Sequence, residues 1–317
     1  MVTKHIFLYI LLLSLIVVFC YNNEHFTETN FYNLDESIKI MTNKIFFNHF
    51  NKYDFKLRNL KDLGDCKKVY SKNTLTYSEK EKNEINNFVK KVRNTKYKKI
   101  FDNIKFIKVK DTIESGLPHT RGSAIVFSQK WIDMYNNDLG KDFNMIFIKL
   151  ISHEQFHVFQ RFNVDLMEIL YNKYWKLYKL NDIPKKLKDI NRTNPDALPD
   201  NFWLFKVNKE KYILPLCIYY GEKKTIKDTR NVYFTLNKKN KDFIFSNLDK
   251  EIENINLLSE NKEFRDFFGE ETSNNYHPNE LSASLFEILM ENEINKSEIQ
   301  NNIPALKELE NFLNYEV

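Results

Sequence analysis

His153, Glu154, Gln155, Phe156 and His157 form an H-E-x-x-H pentapeptide near the middle of the 317-residue chain. Nothing else in the sequence restricts the fold as tightly. The stretch Met145–Ser152 before it and Val158-Phe159 after it are largely apolar, so the pentapeptide is expected inside a core helix. On a helix, residues four apart lie one turn apart on the same face. Two imidazoles so placed approach one metal ion from one side. Glu154 then stands beside the ion without ligating it, where a general base is useful. The structural alternative is a buried helix whose His and Glu side chains make ordinary hydrogen bonds. That arrangement buries three ionisable groups on neighbouring faces and needs a compensating partner.

A catalytic metal of this kind takes a third protein ligand from elsewhere in the chain and keeps one position open. Tyr276-His277-Pro278-Asn279-Glu280-Leu281-Ser282-Ala283 offers one. His277, preceding a proline, is biased out of the helical region, and Pro278 suits the first helical position. Glu280 then falls in the first turn of an apolar helix, from where it can point at a metal held by another helix. The alternatives are that Glu280 only complements the helix dipole, that His277 is the ligand or a hydrogen-bond donor to one, or that Glu287 two turns on serves instead.

The apolar run Ile6–Tyr21, with Lys4 ahead of it and Glu24 and Glu28 behind, reads as a signal peptide or membrane anchor over residues 1–21. The charge order places the body on the extracytoplasmic side, membrane-anchored or secreted. In an exported body, Cys66 and Cys217 are the only cysteines left to pair. A content of 42% hydrophobic and 15% aromatic residues makes the remainder globular. The net charge is only +5 with no Arg-rich face, so no nucleic acid is expected as a partner. The basic run Lys90–Lys99 is expected to be a solvated helix face.

Along the chain, 22–34 reads as a polar tether, and 35–60 and 78–100 as helical, giving a helical N-terminal layer over 22–100. Ile104–Val109 and Ser123–Ser128 read as strands separated by a loop over 111–122. Asp142 is expected to cap a motif helix ending near Phe162. Residues 165–190 read as helical, 191–202 as a loop, and 203–247 as strands or extended pieces. The segments 281–290 and 303–313 are helical again. The expectation is an α+β, helix-rich single domain over 22–317. Its metal-site region, 101–317, holds a small mixed sheet, the motif helix and an insertion over 165–270.

With these residues in view, the chain resembles the zincin metallopeptidases, and within them the gluzincins. In that group H-E-x-x-H on one helix is completed by a glutamate in N-E-x-x-A on a later helix, as in Asn279–Ala283. The resemblance implies a zincin-like fold, a Zn2+ cofactor held by His153, His157 and Glu280, and a peptide or protein substrate. It implies hydrolysis by a zinc-bound water, with Glu154 as general base and proton shuttle. It also implies that an upstream strand, here Ser123–Ser128, forms the cleft edge along which the substrate backbone pairs. Arg121, Tyr219, Tyr220, Tyr276 and His277 are candidates to stabilise the oxyanion or to support a ligand. The segment His119-Thr120-Arg121-Gly122, together with an H-E-x-F-H-x-x-x-R helix from His153 to Arg161, is also similar to uncharacterised bacterial proteins. The chain departs from many gluzincins in placing 122 residues between His157 and Glu280. It also lacks a G-x-M-E-N segment and a metzincin-type third His. The rival reading is a zincin-fold binding protein without turnover, held at a membrane, which the intact Glu154 speaks against.

Overall fold

The computed structural model describes residues 30–136, 140–194, 196, 202–221, 228–240, 242–270, 276–297 and 302–317. The apolar run Ile6–Tyr21 lies outside them. Among the described residues no helix is long and apolar enough to cross a membrane.

The chain enters through β1 (Asn30–Phe31) and then four short helices, α1 (Leu34–Met41), α2 (Lys44–Phe47), α3 (Lys52–Leu57) and α4 (Leu63–Lys72). Their starts are written in the sequence: Asn33, Asn43, Asn51 and Asp62 each accept a backbone N–H of the helix that follows, meeting donors that a helix leaves unsatisfied. After β2 (Thr74–Leu75) comes α5 (Glu79–Arg93), opened by a Ser78/Glu81 capping box. The strands β3 (Lys105–Val109), β4 (His119–Arg121) and β5 (Ala124–Ser128) complete a mixed sheet in the order β1-β3-β5-β4. β5 pairs parallel with β3 and antiparallel with β4, while β1 runs parallel and β2 antiparallel to β3. The 22–100 region is therefore not only helical, because β1 and β2 tie it into the sheet.

Alternation along the strands sorts the sheet into two faces. Phe106, Ile125 and Phe127 enter a core shared with Ile85, Phe88 and Phe147. Ile107, Val109, Ala124 and Val126 enter a second core with Met41, Phe47, Cys66 and Tyr70. Helices thus cover both faces, with α1–α4 on one side. On the other side lie α5 and the motif helix α7 (Gly140–Phe162), which follows α6 (Gln129–Asn136). α7 ends where expected but begins at Gly140, so Asp142 stands inside its first turn rather than ahead of it as a cap.

Beyond α7 the expected helix over 165–190 is short. It comprises α8 (Val164–Ile169) and a π-helical turn over Leu170–Tyr174. Lys176 then takes a left-handed φ of 55° and turns the chain into β6 (Tyr178–Leu180). After α9 (Lys185–Lys188) come β7 (Phe202–Lys206), β8 (Lys211–Tyr219), β9 (Thr229–Lys239) and β10 (Asp242–Phe245). They form a second, antiparallel sheet in the order β10-β9-β8-β7-β6, so the inserted region builds a sheet of its own. α10 (Leu248–Glu253) packs back on it, and β11 (Asn256–Leu257) pairs with β9. α11 (Lys262–Phe268), α12 (Pro278–Asn295) and α13 (Pro304–Glu316) return to the first core.

Cys66 and Cys217 are both buried and unpaired. The last two cysteines do not meet: α4 buries Cys66 in the core beneath the first sheet, while Cys217 stands on β8 of the second. The lysines of the basic run, Lys90, Lys91, Lys96, Lys98 and Lys99, are exposed as expected, while Arg93 is buried. Lys96 pairs with Glu310, Lys99 donates to the Val317 carbonyl, and Arg93 donates to Phe101 O and Asp102 O, so part of the run also docks the C-terminal helix α13.

Candidate metal centre

α7 and α12 lie against each other, with the Phe156 and Phe286 rings stacked at 4.7 Å between centroids. This contact turns the His153/His157 stripe toward the first turn of α12. His277 is the N-cap of α12, its Nδ1 accepting the Asn279 N–H, and Pro278 occupies the first turn. Glu280 then points at the two imidazoles.

His153, His157 and Glu280 form the one metal-capable group of His, Cys, Asp and Glu side chains among the described residues. The two Nε2 atoms are 3.0 Å apart. Glu280 Oε2 lies 3.4 Å from Nε2 of His153 and 3.5 Å from Nε2 of His157. The far side of each ring fixes its tautomer. His153 Nδ1 is 2.6 Å from Glu287 Oε1, and His157 Nδ1 is 2.9 Å from Gln160 Oε1. The Gln160 amide cannot be turned over, because its Nε2 donates to the Asn279 carbonyl at 2.9 Å and to Ser282 Oγ at 2.7 Å. Each Nδ1 therefore carries the hydrogen, and both Nε2 lone pairs face inward toward a carboxylate oxygen. Three acceptors converging this closely call for a cation. Nitrogen and oxygen ligands about 2.0–2.1 Å from a tetrahedral zinc lie about 3.3–3.4 Å from one another; the two Glu280 distances are close to this, and the Nε2–Nε2 distance of 3.0 Å is shorter.

The electrostatics agree. Burial opposes a charged imidazole, yet Glu280 and Glu287 outweigh it and hold His153 well above its ordinary value. The same balance, with Glu280 foremost, raises His157. Burial would raise Glu280, but the two imidazoles hold it well below the usual carboxylate range. Positive charge is thus favoured at the point where the three meet. Glu154 shifts the other way: burial, then the Asp196 charge, pushes its carboxyl up to about 8. Its Oε2 is buried without a hydrogen-bond partner, a group aimed at something the protein itself does not supply.

Around this group runs a strap of which the sequence singles out Tyr219 and Tyr276 but not Asn194, Thr193, Asp54 or Asp196. Asn194 donates to the second oxygen of Glu280, and Tyr276 hydrogen-bonds Asn194, one bond from the carboxylate. Thr193 is anchored by its N–H and hydroxyl to Asp54 at 3.2 and 2.9 Å, and Tyr219 donates to the same carboxylate at 2.9 Å. Tyr219 is therefore committed to Asp54, and Tyr220 is exposed. Asp196 Oδ1 takes both the N–H and the hydroxyl of Thr120, each at 2.7 Å.

Two expectations about the cleft edge change. β5 is interior, flanked by β3 and β4, so the edge is β4. On β4, Thr120 lies opposite Ile125, facing α7, whereas Arg121 lies opposite Ala124, facing the α1–α4 layer. Arg121 accordingly stacks 3.3 Å over the Phe46 ring and pairs with Glu114 rather than reaching the metal group. Glu287 supports His153 from its Nδ1 side instead of supplying a third ligand. Gln160 was within reach of sequence reasoning, standing three residues after His157 on the same face. Asn194 and Asp196 carried no such signal.

Comparison with protein-family models, with curated proteins and with solved structures found no match.

Proposed function

We propose that the chain is a zinc-dependent peptidase of gluzincin type with a zincin-like fold, exported or held outside a membrane by its N-terminal segment. The convergence of His153 Nε2, His157 Nε2 and Glu280 Oε2 within 3.0–3.5 Å of one another carries the reading. When bound there, zinc would supply a Lewis acid that polarises a peptide carbonyl and acidifies a water. Glu287 and Gln160 hold the two imidazoles in the tautomer that ligation requires. Glu154, next in sequence to a ligand but not in the ligand group, takes the proton of the attacking water and returns it to the leaving amine as the C–N bond breaks. A carboxyl that burial pushes up to about 8 ionises more readily beside a dication. It then has an affinity for the proton suited to both steps. The edge strand β4 takes the place in this scheme that Ser123–Ser128 held in the sequence reading.

The deciding experiment is Glu154→Gln. It should leave bound zinc at one equivalent in metal analysis and abolish cleavage of a peptide library that the wild type digests. Turnover at the wild-type rate would remove Glu154 from the mechanism. A wild type that binds zinc but cleaves nothing would favour the non-catalytic binding reading.

A further inference from the structure

α7 carries one more charged group on the stripe that bears the two histidines. Arg161 stands one turn beyond His157. Its Nη1 donates to Gly122 O at 2.6 Å and its Nη2 to Thr120 Oγ1 at 2.7 Å, which fixes the guanidinium against the edge strand β4. The neighbouring Arg58 and Arg121 both pair with Glu114. Among the described residues no carboxylate lies within 4.0 Å of the Arg161 guanidinium; the charges of Asp196 and Glu154 act on it from further off, and the Thr120 hydroxyl links it to Asp196.

The same guanidinium borders a cleft of about 470 Å³, within the range of ligand sites. Asn194, whose amide holds Glu280, closes its metal-centre side. Ile40, Ile45 and Phe46 wall it from the N-terminal layer and Phe162 from the end of α7, and among the described residues no acidic side chain lines it. Ile45 is 72% and Phe162 65% exposed, large apolar surface left to solvent beside a guanidinium that has no carboxylate in ion-pair contact among the described residues. Past Arg161 the cleft continues along the β4–β5 turn to Ser123 and Tyr32. A bound segment thus has room to run on beyond the group that meets the guanidinium, which fits a side chain better than a chain end.

Resting on the peptidase reading, we propose that this cleft is a substrate subsite. It takes an Asp or Glu side chain at Arg161 and an apolar neighbour against Ile45, Phe46 and Phe162. A planar guanidinium fixed by two hydrogen bonds presents its remaining N–H groups to a carboxylate without further loss of freedom.

The test uses the full chain. Zinc-loaded Glu154→Gln is titrated with a fluorescent peptide carrying one Glu beside Leu, and with its Glu→Gln counterpart, both C-terminally amidated. The acidic peptide should bind at least about tenfold more tightly, the effect of one charge-assisted pair. Adding Arg161→Gln should erase the difference. Ile45→Glu, at an exposed position that leaves the fold intact, should erase it independently by repulsion. Equal binding of the two peptides, or a preference that survives both substitutions, would overturn the subsite. So would binding that appears only with a free C-terminal carboxylate. Cleavage assays with the wild type separate this from the underlying reading. Digestion without acidic preference refutes the subsite alone, whereas an acidic preference in binding without any digestion refutes hydrolysis alone.

Discussion

Glu280 and His277 stand three residues apart at the start of α12 and answer different needs. Glu280 Oε2 meets both imidazoles, while His277 Nδ1 closes the helix end. Glu280→Ala should cost more than about 100-fold in zinc affinity, since even groups that only support a ligand cost 10–100-fold. His277→Ala should cost about 1 kcal/mol of stability, as lost caps do, with zinc affinity nearly unchanged. Chelator competition paired with urea melts distinguishes the two, and the reverse pattern would make His277 the ligand. A second residue-scale effect concerns pH. Burial, then the Arg121 charge, pushes His119 down to about 4, and its Nε2 has no hydrogen-bond partner. The unfolded chain takes up this proton near 6.5 and the folded chain refuses it until about 4, so stability falls as pH drops through that window. Between pH 7 and pH 5, with chelator present, the wild type should lose about 2 kcal/mol more than His119→Asn. Parallel losses in urea melts would mean that His119 titrates normally.

The α7–α12 pair is the element on which the candidate metal centre depends, because each helix alone supplies only part of the group that could hold an ion. Phe286 holds the two together against Phe156 and is fully buried. Phe286→Ala should destabilise by about 3–5 kcal/mol and weaken zinc binding in the same protein as the helices lose register. A lowered melting temperature with unchanged zinc affinity would detach the centre from this packing. At this scale the sequence was legible wherever a local rule operated. The motif helix ending at Phe162, the strands β3 and β5, and the His277-Pro278 start of α12 all follow from periodicity, capping and proline geometry. β4 was not legible, because three residues between turns carry no period to read. Missing it made β5 look like an edge and left the facing of Arg121 undetermined. The roles of Asn194, Asp196 and Asp54 rest on contacts between segments 76 to 165 residues apart, which no window of sequence contains.

At the scale of the whole molecule, β1 begins soon after the apolar run and is locked beside β3, so a retained anchor would hold the body close to its membrane. In sealed vesicles residues 30–317 should resist protease added from the cytoplasmic side, and digestion from that side would reverse the orientation. The distance along the chain between the two halves of the metal centre also has a consequence in time. At synthesis rates of about 5–20 residues per second, the 122 residues between His157 and Glu280 take roughly 6–24 s to make. For that interval the growing chain owns two imidazoles and no carboxylate to complete them. Were an ion held by this group, tight uptake would have to wait until Glu280 is made and α12 docks on α7, so a firmly held ion would belong to the compartment in which those two helices come together.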